Sequence, residues 1–187
     1  MPAITTNELK NGMTLELDNG LFTVVDFQHV KPGKGGAFVR TKLRRASDGA
    51  VIDRTFRAAE RVEQAILEKK DMQFLYSDGD DYVFMDTVTY DQLNVSPRAL
   101  GDAANYLVPQ ATANLAMYQG EIVNVEIPAS VELTVAATEP GVQGDRVSGA
   151  RKPATLETGK VIQVPLFVNQ GERVRVDTRT GEYITRV

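Results

Sequence analysis

Short segments in which apolar and polar side chains alternate recur along the chain, and Gly, Asn, Asp and Pro separate them. Alternation with a period of two is typical of half-buried β-strands, and the separating residues favour tight turns. In the first section the pattern predicts strands at residues 13–17, 21–27, 37–43 and 51–56, and then a last strand that runs into a linker at residues 57–70. Turn signals at Asp18-Asn19-Gly20 and Ser47-Asp48-Gly49 join these strands. This section therefore fits a small SH3-like barrel.

The pattern restarts at Asp71, where residues 71–77 and 82–90 predict a hairpin around an acidic turn. The segment SPRALGDAANYL predicts a helix that Ser96 caps and in which Pro97 takes the first position. Its predicted apolar face consists of Leu100, Ala103, Ala104 and Leu107. Two further strands, at residues 113–118 and 121–126, complete a section that fits an OB-type barrel.

The last section begins with a predicted strand at residues 131–136, which a polar loop at residues 138–159 follows. A loop of this length demands a function or disorder, and Arg146, Arg151 and Lys152 make it basic. The closing segments KVIQVPLFV, ERVRVDT and EYITRV predict short strands of a second OB-type barrel. We therefore expect an all-β chain with domains at residues 1–64, 65–127 and 128–187.

A basic hairpin stands out from this pattern. Residues 29–45 read HVKPGKGGAFVRTKLRR and contain no acidic side chain. Pro32 and the glycines Gly33, Gly35 and Gly36 are turn residues, which puts Lys34 at the tip of a hairpin between residues 22–30 and 37–43. The basic residues of this segment are Lys31, Lys34, Arg40, Lys42, Arg44 and Arg45.

Two interpretations of this hairpin stay open on the residues alone. Lysine and glycine are ordinary components of a solvated turn. An uninterrupted basic run also suggests contact with a polyanion, such as the phosphates of RNA or DNA. The glycines do not form a nucleotide-binding loop, because the spacing matches neither phosphate-binding motif and no helix follows.

Charge divides unevenly along a chain of net charge −4. Residues 1–64 carry ten basic and eight acidic side chains, residues 65–127 carry three and ten, and residues 128–187 carry eight and seven. This distribution suggests that both ends contact anions, while the middle section faces protein, a basic surface or solvent.

Enzyme, metal and membrane functions find little support in the composition. There is no cysteine, and the lone His29 cannot build a metal site by itself. The acidic turn at residues 78–81 does not have the spacing of a calcium loop. No long apolar run or signal-peptide pattern is present, so we expect a cytoplasmic protein. We also expect a monomer with no catalytic residue, metal or cofactor.

Four segments together resemble bacterial translation elongation factor P over essentially the full length. They are VKPGKGGAFVR, TEPGVQGD, KPATLETG and VPLFVNQGERVRVDTRTGEYITRV, and they occur in the family's order and spacing. The resemblance implies an L-shaped protein with an SH3-like domain of the KOW type followed by two OB domains. It also implies binding to both ribosomal subunits between the peptidyl and exit sites, and stimulation of peptide-bond formation at polyproline stalls.

Residue roles follow from the same resemblance. Lys34 would contact the acceptor end of peptidyl-tRNA, while Gly144, Asp145, Arg146, Tyr183 and Arg186 would lie at the small-subunit end, near the exit-site codon. Family members often carry an enlarged tip lysine made by a dedicated enzyme, so whether Lys34 is modified is open. The sequence departs from some relatives at Gly36, where they have proline, and at Arg146, where they have threonine. The alternative is a general single-stranded nucleic-acid-binding OB protein, which would need exposed aromatic side chains.

Overall fold

A computed structural model of the protein describes residues 2–141 and 149–187. These residues form sixteen strands in three sheets. Strand formation follows the alternation of the sequence: in β4, for example, buried Val39, Thr41 and Leu43 alternate with exposed charged side chains. The all-β prediction is confirmed.

The first sheet has six strands in the order β1-β6-β2-β3-β4-β5. The strands are β1 (Ala3–Thr5), β2 (Thr14–Leu17), β3 (Gly20–Val30), β4 (Phe38–Arg45), β5 (Val51–Arg57) and β6 (Arg61–Gln64). The four strands predicted before residue 57 are confirmed, and β6 is the last strand predicted after it, whereas β1 is too short to show in the pattern. Asp18 and Asn19, between β2 and β3, both have positive φ (50° and 60°), as a two-residue hairpin turn of type I′ requires.

The second sheet has the order β11-β10-β7-β8-β9. Its strands are β7 (Glu68–Asp78), β8 (Asp81–Asp86), β9 (Gln92–Val95), β10 (Thr112–Tyr118) and β11 (Glu121–Glu126). The predicted linker was too long, because β7 begins three residues before Asp71. The predicted strand at residues 82–90 ends at Asp86, where a turn leads into β9.

The predicted helix after β9 is divided in two. Ser96 caps it as expected, since its Oγ accepts a hydrogen bond from the Ala99 N–H at 3.3 Å, but α1 covers only Pro97–Leu100. Gly101 has a φ of +53° and the chain continues as a 3₁₀ helix at Gly101–Tyr106. Leu100, Ala103 and Leu107 are buried as predicted, and Ala104 is half-buried.

The third sheet has the order β14-β13-β12-β15-β16. Its strands are β12 (Ser130–Thr138), β13 (Arg151–Leu156), β14 (Val161–Pro165), β15 (Arg173–Asp177) and β16 (Tyr183–Arg186). The prediction of one loop over residues 138–159 was wrong, because β13 lies inside it. Pro153 obscured this strand, and it is tolerated because pairing with β12 stops at Ala154.

The described residues pack into two compact units. The first comprises residues up to Lys69 together with Ala116–Asn124, and the second comprises Lys70–Leu115 together with Val125–Val187. In the first unit the Tyr118 hydroxyl donates to a Glu16 carboxylate oxygen at 3.0 Å. Burial is the main cause that raises the pKa of Tyr118, and the contact with Glu16 raises it further. In the second unit Tyr106 lies in the same apolar core as Leu133 and Val174, so the 3₁₀ helix packs against the last barrel.

Candidate functional site

The hairpin of β3 and β4 positions the predicted tip lysine. The two strands pair from Phe22 with Arg45 to Val30 with Phe38, which leaves residues 31–37 as the connecting loop, here called the tip loop. Lys34 is the central residue of this loop and is exposed. Within the part of the chain that the structure describes, its side chain makes no hydrogen bond or ion pair. The amine is therefore free to meet an external partner.

The tip loop is open on all sides. Lys31, Pro32, Gly33, Gly35 and Gly36 are all exposed. Gly35 has a φ of +109°, which non-glycine residues rarely adopt, and the nearest atom to a Cβ placed there would be Pro32 Cγ at 4.0 Å. The backbone conformation, rather than crowding, therefore requires glycine at this position.

The outer face of β4 presents Arg40, Lys42 and Arg44 to solvent. Their cross-strand neighbours differ. Arg40 lies opposite Gln28 and Thr55, and Arg44 lies opposite Thr23 and Val51, whereas Lys42 lies opposite Asp26 and Asp53. Asp26, Arg40, Lys42 and Asp53 are among the residues that line a depression of about 440 Å³ on this sheet. The basic run of the sequence is thus partly compensated by carboxylates from the neighbouring strands.

Arg45 does not share this face. Its guanidinium donates to Asp48 at 2.9 Å and lies 5.8 Å from the centre of the Phe22 ring. Because Arg45 follows Arg44 directly in a strand, the two side chains point to opposite faces. Arg45 therefore stabilises the β4–β5 turn, apart from the exposed basic residues.

Arg57 is a further exposed basic residue of this surface, which the sequence pattern did not indicate. It lies at the end of β5, opposite Phe38, and is exposed. The Arg40 guanidinium lies 5.6 Å from the centre of the same Phe38 ring. Two arginines therefore flank Phe38 at the base of the tip loop, and only strand pairing brings them together.

The predicted small-subunit residues fall into two groups. Gly144, Asp145 and Arg146 lie outside the described residues. Tyr183 is half-buried and packs against the core of the third barrel. Arg186 is exposed, and its guanidinium donates to Glu172 at 3.3 Å and lies 5.3 Å from the centre of the Phe167 ring.

Lys152 departs from the expectation of a basic solvated loop. It is only 6% exposed, and its ammonium donates to the Glu139 carbonyl oxygen at 2.6 Å. It alternates with exposed Arg151 and Pro153 in β13, so the strand places it on the inner face. Arg151 remains exposed.

Neither His29 nor any carboxylate cluster builds a metal site in the described ranges. His29 is exposed near the end of β3, and its ring meets Phe27 edge-on at 5.6 Å between centres. No group of three or more His, Cys, Asp or Glu side chains within residues 2–141 and 149–187 is arranged to hold a metal ion. The same residues contain no helix of the length and apolar character needed to cross a bilayer.

Comparison with known protein families covers nearly the whole chain. Residues 5–62 match the elongation factor P (EF-P) KOW-like domain, residues 67–125 match the elongation factor P (EF-P) OB domain, and residues 131–186 match the C-terminal domain of elongation factor P. The chain belongs to the elongation factor P family. The resemblance seen in the sequence and the three-domain architecture of KOW-like and OB type are therefore confirmed.

Individual relatives agree with this family assignment. Elongation factor P of Acidothermus cellulolyticus is 60% identical over 182 residues, which cover 97% of each chain. Elongation factor P of Streptomyces coelicolor is 58% identical over 184 residues, which cover 98% of each chain. Among solved structures, eukaryotic translation initiation factor 5A from Methanococcus jannaschii superposes with a TM-score of 0.52 at 26% identity, over 66% of this chain and 93% of that one. As an elongation factor P, the chain is a translation elongation factor, and membership of this family implies interaction with the ribosome.

Proposed function

We propose that this elongation factor P is a non-enzymatic factor that binds both ribosomal subunits between the peptidyl and exit sites. In that position Lys34 contacts the acceptor end of peptidyl-tRNA and accelerates peptide-bond formation at consecutive prolines. The observation that carries this proposal is the solvent-exposed Lys34 amine, which has no ion pair or hydrogen bond within the described residues, at the centre of the tip loop.

The physical basis is positioning. Proline fixes φ near −65° and is a secondary amine, so the nucleophile and the nascent chain both resist the reactive geometry. Holding the end of peptidyl-tRNA in place lowers the entropy that is lost on reaching this geometry. A primary amine donates hydrogen bonds to phosphate and ribose oxygens, and Arg40, Arg44 and Arg57 supply further positive charge behind it. No acid, base or nucleophile of the factor takes part.

The small-subunit end completes the proposed binding mode. Arg186, together with Gly144, Asp145 and Arg146, is proposed to face the exit-site codon and its surroundings. Arg186 is exposed and held by Glu172, which suits a fixed contact with RNA. Tyr183 is half-buried against the core and is proposed to support β16.

Lys34→Ala tests this function directly. In a reconstituted translation system, the variant is expected to fold normally and to lose the acceleration of a Pro-Pro-Pro reporter, because the positioning amine is gone. Lys10→Ala is the matched control, since it removes another exposed lysine from the same barrel and leaves the tip loop unchanged. Normal rescue by Lys34→Ala would contradict the role of Lys34.

Exposure also makes Lys34 accessible to a modifying enzyme. An intact-mass measurement of the protein from its native host, compared with the 20.5 kDa chain, distinguishes a modified from an unmodified lysine. If the chain is modified, peptide mapping is expected to locate the added group at Lys34. Location of the group on another lysine would contradict this assignment.

A further inference from the structure

Phe167 is an exposed aromatic side chain on a rigid part of the third barrel. It lies between β14 and β15 and is 56% exposed, whereas the next residue, Val168, is completely buried. Burial of Val168 fixes the backbone from which the Phe167 ring projects. A large apolar side chain that is anchored in this way and left in solvent is a candidate contact residue.

The turn that follows Phe167 is closed by several hydrogen bonds. The Val168 N–H donates to the Pro165 carbonyl at 3.2 Å, and the Gly171 N–H donates to the Val135 carbonyl at 2.9 Å. The Asn169 N–H donates to one oxygen of the Glu172 carboxylate at 2.8 Å. The segment is therefore ordered before any partner binds, which lowers the entropy cost of binding.

Arg186 covers part of the ring. Its guanidinium carbon lies 5.3 Å from the centre of the Phe167 ring, within the range of a cation–π contact, and it donates to the second oxygen of Glu172 at 3.3 Å. One carboxylate thus holds both the turn and the arginine. Phe167 and Arg186 form a preassembled pair, here called the Phe167–Arg186 platform.

Two described residues, Gly141 and Arg151, lie close to the residues that precede the platform in the chain. A Cβ on Gly141 would lie 2.6 Å from the Leu166 carbonyl oxygen. Exposed Arg151 pairs with Pro165 in the β13–β14 ladder. Gly141 and Arg151 therefore both approach the residues that directly precede Phe167.

We propose that the Phe167–Arg186 platform stacks an unpaired RNA base when the factor is bound to the ribosome. Single-stranded bases are recognised by stacking on aromatic rings and on arginine planes, and this platform offers both. The exposed arginines Arg151 and Arg186 favour RNA over an apolar protein surface as the partner. This inference rests on the ribosome binding proposed above, and it adds a residue that the sequence did not select.

The first test measures binding of the full-length chain to ribosomes that carry mRNA and peptidyl-tRNA. Phe167→Leu keeps apolar bulk and removes the aromatic face, so the affinity for these ribosomes is expected to fall about tenfold. A loss of this size is near the lower end of what removal of one base-stacking contact costs. Phe167→Trp keeps the aromatic face and is expected to bind as the unchanged chain does. Val161→Ala is the matched control, because it truncates another exposed apolar residue of the same barrel without a stacked arginine.

The second test identifies what the ring contacts. A photo-crosslinking benzoylphenylalanine at position 167 is expected to join to RNA on the same ribosomes, and the same group at position 161 reports background crosslinking. Crosslinking to protein alone, or no crosslink by a bound factor, would overturn the proposal. Equal binding by Phe167→Leu and Phe167→Trp would overturn it as well.

These outcomes separate the two proposals. If the unchanged chain binds these ribosomes and accelerates the Pro-Pro-Pro reporter while position 167 crosslinks only to protein, the base-stacking inference alone fails. If the unchanged chain does not bind, both proposals fail. Thermal melting of each variant confirms that the third barrel is folded in every comparison.

Discussion

Arg40 and Lys42 carry the same formal charge on the same exposed face of β4, but their surroundings differ. Lys42 has a carboxylate opposite it on each neighbouring strand, from Asp26 and Asp53. Opposite residues on paired strands have Cβ atoms only about 5 Å apart, so both carboxylates lie near Lys42. Arg40 has only neutral Gln28 and Thr55 opposite it. A phosphate beside Arg40 therefore meets net positive charge, whereas one beside Lys42 also meets two carboxylates.

This difference predicts unequal effects of two charge-removing variants. Arg40→Ala is expected to weaken ribosome binding and to lower the slope of log affinity against log salt by about one, as for a lost phosphate contact. Lys42→Ala is expected to change the slope less, because two carboxylates lie opposite Lys42 and weaken its attraction for phosphate. Affinity measured at several salt concentrations checks this, and equal slopes for the two variants would contradict it.

The turn between β8 and β9 depends on one buried carboxylate. Asp86 accepts hydrogen bonds from the Val88 N–H at 2.8 Å and the Thr89 N–H at 3.2 Å, and the Lys70 ammonium lies 3.8 Å away. The hydrogen bond from Val88 lowers the pKa of Asp86 most, the one from Thr89 lowers it less, and the charge of Lys70 makes a smaller contribution in the same direction. The turn also holds Tyr90 at a φ of +63°. The ionised form of Asp86 therefore stabilises a turn with an unfavourable backbone conformation.

The ionisation of Asp86 should make the free energy of unfolding depend on pH in acid. The folded pKa is lower than the unfolded value of about 3.9, so the contribution of Asp86 is complete above that value and is lost as pH falls through the folded pKa. Asp86→Asn is expected to be less stable at neutral pH and to lose less stability on acidification than the unchanged chain. Urea denaturation between neutral pH and about pH 2.5 measures both effects.

Asp80→Asn provides a matched control for this experiment. It removes an exposed carboxylate from the neighbouring turn between β7 and β8. If Asp86→Asn and Asp80→Asn have the same denaturation midpoints across this pH range, the proposed role of Asp86 in the turn is wrong.

At the scale of the whole molecule, Tyr106 joins elements that are distant in sequence. It ends the 3₁₀ helix that precedes β10, yet it is only 4% exposed within the core of the last barrel. The Lys160 ammonium lies 5.5 Å from the centre of its ring, and the Thr158 hydroxyl donates to the adjacent Asn105 carbonyl at 2.6 Å. The second compact unit therefore shares one core between residues of two barrels.

Removal of this ring should destabilise that unit as a whole. Tyr106→Ala is expected to cost about 3 kcal/mol of unfolding free energy, as large-to-small substitutions of buried aromatic residues do. Tyr76→Ala, which truncates a tyrosine on β7 that is 50% exposed, should change stability by no more than about 0.5 kcal/mol. Urea denaturation compares the two variants, and equal losses would show that Tyr106 does not join the barrels.

Local pattern was enough for most strands and for the exposed tip lysine. Alternation, the Asp18-Asn19 turn and the tip-loop glycines depend on neighbouring residues, and the structure confirms the strands that they predicted. The strands that were not predicted have a short or interrupted alternation of apolar and polar residues. Strand β1 has three residues, β9 has four, and β13 contains a proline that normally argues against a strand.

The sequence by itself determined the all-β class, the order of three barrels and the exposure of Lys34, because these features follow from side-chain periodicity and turn chemistry over short distances. Only the tertiary structure decided which charges remain uncompensated. Strand pairing puts Asp26 and Asp53 opposite Lys42, and Arg57 opposite Phe38. The tertiary structure also placed Tyr106 in the core of the last barrel and Arg186 over the Phe167 ring. Such contacts depend on register and packing between distant segments, which no local pattern encodes.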